Sequence, residues 1–326
     1  NLQKLADQMP DRLESFSTDS GLPLTFGNFV RFHDYDPEAL LSRKTWTQWK
    51  AGARVAETPS DPDIDLLNQC LVSAAQTSGP REISRTRNVT RQLLAGDCKS
   101  AIAVAEEDNA SVMTHYRIWG KPGPKLGIAT IEEAYQRATK NPSVLRDLDE
   151  VLAWVEEESR LGALPLNLPF RCPLELHATY GGDEIKAALG EATFQSAWST
   201  GVGVLHFKAI KTYVALVTFQ KTEKEFSPST MYQDYPISRD LLHWETQAST
   251  SQTSDTGQNL IHHAERGYTM LFFVRSLKEV NYVTVPFTFL GSANLVSFES
   301  DRPIQMVWRL DHSMPVEIFE ENRKGG

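Results

Sequence analysis

Apolar residues recur at three- and four-residue intervals through the first half of the chain, then give way to short β-branched and aromatic runs. Leu2, Leu5, Met9 and Leu13 set a helical period at the start. Asp36-Pro37-Glu38 ahead of Ala39-Leu40-Leu41 reads as a capped helix start with proline in its first turn. Between Arg81 and Leu94 four arginines, Arg81, Arg85, Arg87 and Arg91, fall at mostly helical spacing. A solvated helix face explains them, and a contact to a phosphate backbone or an acidic partner domain is the sharper alternative. Ser111 to Gly120 is a mixed apolar run that ends in the turn Lys121-Pro122-Gly123-Pro124-Lys125. Thr130 stands as an N-cap, with Glu132 and Glu133 in the first turn of a helix reaching Thr139. A further helix opens at Asn141-Pro142 and extends to the region of Leu161, with Val144, Leu148, Leu152 and Val155 on one face.

The pattern changes at Leu164 to Phe170, where prolines punctuate an extended stretch. We place a domain boundary there, with a mostly helical region over 1–165 and a strand-rich domain over 166–326. One helix is predicted beyond it, from Gly182 to a stop at Gly190. Predicted strands cover Gly203 to Phe207, Tyr213 to Phe219, Met270 to Arg275, Val283 to Leu290 and Ile304 to Leu310. The expected class is α+β, with short strands and one or two helices forming a closed or half-closed barrel. Ala248 to Gly257 is rich in Ser and Thr and predicts a mobile loop.

Composition narrows the picture. A length of 326 residues suits two or three domains, and 40% hydrophobic with 23% charged residues is an ordinary globular balance. No apolar run approaches the roughly 18 residues of a membrane span, so no membrane partner is expected. The first residues lack the basic start and apolar core of a signal peptide. The sequence opens on Asn1 rather than Met, which leads us to expect a piece of a longer protein. Cys70, Cys98 and Cys172 lie far apart, with no pair at metal-ligand spacing, so thiols in a reducing cytoplasm are expected and zinc is not. A net charge of −9 and a pI near 5.5 argue against indiscriminate nucleic-acid binding, although a local basic face would suffice for contact with a few phosphates.

No phosphate loop, dinucleotide fingerprint, zincin helix or nucleophile elbow is present, so no cofactor and no metal are expected in this chain. His262 and His263 lie near Glu265, but adjacent histidines point to different sides of most backbones. The densest chemistry lies in KTEKEFSPSTMYQDYPISRDLLHWETQ, Lys221 to Gln247, which leaves a strongly apolar strand at a position where binding loops often sit. Lys221, Lys224, Ser227, Ser229 and Thr230 suit phosphates. Tyr232, Tyr235 and Trp244 offer faces on which an unstacked base can stack, at about 1–3 kcal/mol each. Asp234, Glu245 and Gln247 are directional hydrogen-bonding groups able to read a base edge. A structural loop, with hydroxyls capping turns and aromatics filling core, accounts for the same spacing. Arg275 ends the apolar run Leu271 to Val274, and Pro286 to Gly291 alternates up to a glycine that lets backbone approach a ligand.

Taken in order, several segments resemble one family. They are PLELHATYGGDEIKAALG, VTFQKTEKEFSPSTMYQDYPIS, LLHWETQASTS with TGQNLIHH, LFFVRSLK, PFTFLGSANLVSF and RPIQMVWRLDHSMP. Together they are similar to a bacterial domain family of unknown function found at the C-terminus of DEAD/DEAH-type superfamily II helicases. The likeness covers Pro173 to Pro315. PLTFGNFVRFHDYDPEALLSRKTWTQW and MTHYRIWGKPGPKLG resemble the segment that precedes this domain in such proteins. Some members join a phospholipase-D-type nuclease, the helicase and this module, and resemble type IV restriction enzymes that cut DNA carrying modified cytosine. The resemblance implies a target reader preceded by a helical coupler, with a fold related to the SRA and PUA-like barrels that flip modified bases. It also implies helicase and nuclease domains of the same protein as partners, with ATP and Mg bound there rather than here. Where the family tends to have Ala after its Asp-Tyr pair and Gln after its His-Trp pair, this chain has Pro236 and Glu245. A carboxylate beside a phosphate is repulsive, so Glu245 is expected to face the base or solvent.

On this reading the chain binds double-stranded DNA carrying 5-methyl- or 5-hydroxymethylcytosine. Tyr232, Tyr235 and Trp244 stack on the base, Asp234 and Gln247 read its edge, and Lys221, Lys224, Ser227, Ser229, Thr230 and Arg275 hold phosphates. The rivals are a helicase accessory domain indifferent to modification, an enzyme using Asp234, His243 and Glu245, and a docking or homodimerisation module.

Overall fold

The computed structural model describes residues 2–107, 110–159, 164, 166–197, 203–220 and 233–323. The chain divides into two units. One comprises Asn1–Gly162 with Asp183–Ala188 and Ala192–Ala197, the other Ala163–Gly182, Leu189–Glu191 and Trp198–Gly326.

Helices build the first unit: α1 (Leu2–Ser20), α2 (Phe26–His33), α3 (Pro37–Leu41), α4 (Trp46–Gly52), α5 (Ile64–Ala75), α6 (Pro80–Leu94), α7 (Cys98–Glu107), α8 (Ser111–Trp119), α9 (Ile131–Ala138) and α10 (Pro142–Glu158). Local chemistry sets several starts. The Asp36 carboxylate accepts from the Glu38 and Ala39 N–H groups at 3.0 and 3.1 Å, with Pro37 in the first turn of α3. Thr45 and Gln48 form a reciprocal capping box on α4, and Thr130 accepts from Glu133 N–H at 3.1 Å on α9. Such caps contribute about 1 kcal/mol each. Val144, Leu148, Val151, Leu152 and Val155 form the buried stripe of α10, which packs on α5 and α6. Three of the four α6 arginines meet carboxylates within this unit. Arg85 is buried on Glu82, Arg87 pairs with Asp149 and Glu156, and Arg91 with Asp149. Arg85 is thus a buried partner of its own helix and Arg87 a half-buried partner of α10, while Arg81 and Arg91 stay exposed, as a solvated face predicts.

The second unit is built on one sheet. Its strands are β1 (Thr179–Tyr180), β2 (Gly203–Phe207), β3 (Thr212–Thr218), β4 (Tyr235–Pro236), β5 (Leu241–Glu245), β6 (Thr269–Arg275), β9 (Phe287–Glu299) and β10 (Gln305–Leu310), and a hairpin of β7 (Glu279–Val280) and β8 (Val283–Thr284) stands apart. The order is β2-β3-β6-β9-β10-β5-β4, with β1 added beside β9. Among the described residues only β3 and β6 run parallel, and the other pairs are antiparallel. The inner face carries Tyr213, Ala215 and Val217 of β3, Met270, Phe272 and Val274 of β6, Met306, Trp308 and Leu310 of β10, and Leu242 and Trp244 of β5. Leu260 joins this core from α12 (Asp255–Ile261), and Ile318 and Phe319 pack on it from α13 (Val316–Asn322).

The class is mixed α/β with a mostly antiparallel sheet, and the sheet is not a closed barrel. Among the described residues no ladder joins its edge strands β2 and β4. It nevertheless curls strongly, because a Cβ added to Gly203 at the start of β2 would lie 2.9 Å from the Gln247 amide nitrogen just beyond β5. Two register shifts in β9 bend it, one beside Gly291, whose φ of +85° suits glycine, and one facing Val307 and Trp308.

Three expectations change. The strand predicted over Val283 to Leu290 is two elements, β8 and the start of a much longer β9. The segment read as one loop holds β4 and β5, where Leu242 and Trp244 alternate inward and Leu241, His243 and Glu245 outward. The Ser/Thr-rich stretch after Ala248 is ordered by its own hydroxyls: Ser254 accepts from Gly257 N–H at 3.1 Å and caps α12. Among the described residues no helix is long and apolar enough to cross a membrane.

Candidate nucleic-acid interface

Strand alternation leaves one face of β4, β5, β10 and the end of β9 polar. On β5 this face carries His243 and Glu245, and on β10 Gln305, Val307 and Arg309. Register places Glu245 beside Gln305 and Gln305 beside Glu299, while His243 pairs with Val307 and Tyr235 with His243. The Tyr235 ring stacks on the His243 imidazole with centroids 4.6 Å apart and planes 14° from parallel. A hydrogen bond of 2.8 Å between His243 Nδ1 and the Gln233 carbonyl fixes the imidazole. Glu245 accepts from Gln233 N–H and from the Gln305 side-chain amide, each at 3.2 Å. Its carboxylate thus ties three neighbouring segments of backbone together, which accounts for an acidic side chain on this face. Arg309 is exposed on the same face, between Leu241 and Asn294 in register.

The other predicted site residues fall in different places. Trp244 is 3% exposed and lies edge-on to Phe272 at 6.0 Å, inside the sheet's core. Asp234 is buried, and its Oδ1 accepts from Glu245 N–H at 3.0 Å. Gln247 lies over Gly203. Arg275 donates to the Thr218 hydroxyl at 3.0 Å and the Val285 carbonyl at 2.9 Å, and its guanidinium sits 4.2 Å from the centre of the Phe287 ring. It marks the opposite end of the sheet: β9 passes Val274 at Thr288 and reaches the Gln305–Glu245 level only at Glu299. At the strand rise of about 3.3 Å per residue, about 36 Å of β9 separates the two groups. Lys221, Lys224, Ser227, Ser229, Thr230 and Tyr232 lie outside the described residues.

Sequence reasoning missed Gln305 and Arg309. The signal was present in Gln-Met-Val-Trp-Arg-Leu, whose period of two puts Met306, Trp308 and Leu310 inward and the other three outward. The two adjacent histidines do diverge. His262 pairs with Glu265 at 3.3 Å near solvent, whereas His263 is buried 5.0 Å from the Trp308 ring, where burial lowers its pKa. Between them and β9 opens a cavity of about 400 Å³, lined among others by Ile261, Glu265, Leu295, Val296 and Phe298. Among the described residues no group of three or more His, Cys, Asp or Glu side chains is placed to hold a metal ion.

The fold and this face define a mixed α/β module with an open, curled sheet that presents an aromatic pair among hydrogen-bonding side chains. Residues 174–321 match the family described as Domain of unknown function (DUF3427). No curated protein matches the chain.

Proposed function

We propose that this chain is the target-recognition part of a longer, ATP-dependent restriction protein, and that its sheet unit binds double-stranded DNA carrying 5-methyl- or 5-hydroxymethylcytosine. The observation that carries the reading is the stacked Tyr235–His243 pair, set beside Glu245, Gln305 and Arg309 on a polar sheet face. It supplies a π-surface, directional hydrogen bonds and one exposed cation within a few strand spacings, the mixture that holds and reads nucleic acid. The chain re-enters this face at Gln233, directly after the segment with Lys221, Lys224, Ser227, Ser229, Thr230 and Tyr232, which we assign to phosphates and base. The strong curl of the sheet supports kinship with SRA and PUA-like folds, and base flipping follows from that kinship. ATP and Mg belong on this reading to a helicase domain of the longer protein, and a nuclease domain is its partner.

The test is fluorescence anisotropy with matched duplexes, unmodified, 5-methylated and 5-hydroxymethylated, at physiological salt. Modified duplex should bind at least tenfold tighter. Equal affinities would reduce the module to one indifferent to modification, and no salt-dependent binding to any duplex would remove DNA as the partner. A second reading, a docking or homodimer module, is favoured by the exposed Val296 and Phe298 beside the cavity. Sedimentation showing a dimer that Phe298→Ser converts to monomer, with no DNA binding, would select it.

A further inference from the structure

Two outward positions of β10, Gln305 and Val307, stand next to each other on the polar face with a strand on either side. The row through Gln305 is Glu245–Gln305–Glu299, and the row through Val307 is His243–Val307–Ser297. Gln305 Nε2 donates to Glu245 Oε1 at 3.2 Å, and the other oxygen of that carboxylate accepts from Gln233 N–H at 3.2 Å. Asp234 in turn accepts from Glu245 N–H at 3.0 Å, which steadies the strand that carries the carboxylate. A carboxylate offers no donor, so only the nitrogen end of the Gln305 amide can face it. Glu299, on the far side, could take only that same nitrogen. The Oε1 end is therefore the one left for a ligand. It is open to solvent, and among the described residues the Gln305 side chain makes no second hydrogen bond. Val307 is half-buried and presents a branched apolar side chain on the same face. Alternate residues of a strand lie about 6.6 Å apart, a spacing that the edge of one pyrimidine can bridge.

We propose, building on the DNA-binding reading above, that Gln305 and Val307 read the edge of 5-methylcytosine: Gln305 Oε1 accepts from the exocyclic amine and Val307 meets the methyl group. Glu245 is the positioning residue, since it fixes which end of the Gln305 amide faces the base. The amine and the 5-methyl group of this base sit on adjacent ring carbons, so an acceptor beside an apolar side chain matches that edge. Thymine carries the same methyl beside a carbonyl, which would meet Gln305 Oε1 with no hydrogen between the two oxygens. The face thus separates two bases that an apolar contact alone would treat alike. Glu245 acts on the base only through Gln305, which gives an acidic side chain a use on a surface that faces DNA.

Fluorescence anisotropy of the full chain with three duplexes tests this. They carry 5-methylcytosine, cytosine or 5-methyl-2-pyrimidinone opposite one guanine, and the last keeps the methyl but lacks the amine. Wild type should bind the 5-methylcytosine duplex about tenfold tighter than the amine-free one. Gln305→Leu keeps the bulk without the acceptor and should bring that ratio within about twofold of one. Glu245→Gln can still accept from Gln233 N–H, but it then turns an NH2 group toward Gln305 and reverses that amide, so its ratio should fall to one or below. Val307→Ser should erase the preference for 5-methylcytosine over cytosine and keep the amine ratio. A merely structural role for Gln305 or Glu245 would weaken all three duplexes alike, and that result would overturn the proposal. Wild type binding the 5-methylcytosine and amine-free duplexes equally, or Gln305→Leu keeping the wild-type ratio, would overturn it as well and leave DNA binding standing. No binding to any duplex would remove both.

Discussion

Trp244 is the residue on which the sequence pattern and the geometry diverge most, and replacing it with alanine separates a base platform from a core anchor. The indole is 3% exposed, lies edge-on to Phe272, and shares the inner face with Leu242, Met306 and Trp308. Truncating a buried tryptophan costs about 3–5 kcal/mol through lost transfer energy and a residual cavity. That is a large fraction of the roughly 5–15 kcal/mol that holds a domain folded. With a urea slope of about 2 kcal/mol/M, the midpoint should fall by about 2 M. Tyr235→Ala removes a half-buried ring from a stack worth about 0.5–1.5 kcal/mol and should move the midpoint by well under 1 M. Urea denaturation followed by far-UV circular dichroism, beside duplex binding by the folded fraction, reads both quantities. Trp244→Ala should lose stability while its folded fraction binds as wild type does, and Tyr235→Ala should do the reverse. A Trp244→Ala chain within about 1 kcal/mol of wild type that loses tenfold in affinity would refute the placement of the indole in the core.

Acid should expose two opposed buried groups. Burial holds the His115 imidazole at about 4, below its ordinary 6.5, so between these values the unfolded chain binds the extra proton and stability falls as pH drops. From pH 7 to pH 5 this costs about 2 kcal/mol. Burial lifts the Asp147 carboxyl to about 6 from 3.8, so there the folded chain binds the proton first and acidification over the same range favours folding by about 1 kcal/mol. Asp147→Asn should therefore show an acid loss about 1 kcal/mol larger than wild type in paired urea titrations at pH 7 and pH 5, and equal losses would contradict this opposition. On the proposed interface, Arg309→Ala should weaken all duplexes alike and lower the slope of log affinity against log salt by about 1, whereas a change in modification preference alone would remove Arg309 from the phosphate contacts.

Helix starts were legible because they depend on neighbours in sequence: Asp36, Thr130 and the Pro142 start stand where the pattern puts them. Arg87 and Arg91 were not, since their partners Asp149 and Glu156 lie some sixty residues away. Strands with apolar runs, β3 and β6, were plain, whereas β5 hid inside a polar segment because only Leu242 and Trp244 signal burial in it. For the same reason an aromatic count could not sort Tyr235 from Trp244. Their outward and inward positions follow from the pairing of β4 with β5 and of β5 with β10, which no local pattern announces. Glu245 looked out of place beside a phosphate, and its partners Gln233 and Gln305 become visible only once β5 and β10 are aligned.

The thirteen residues of β9, which pair with β1, β6 and β10, also impose a timetable. β1 precedes its partner by more than a hundred residues, so the centre of the sheet cannot assemble until β9 has been made. The residues of the helical unit, by contrast, are complete at Ala197. At a synthesis rate of about 5–20 residues per second, about 5–20 seconds pass between Ala197 and the end of β9. During that interval the helical unit has everything it needs to fold. The long-range pairing of the sheet is thus the later of the two folding events in the order of synthesis.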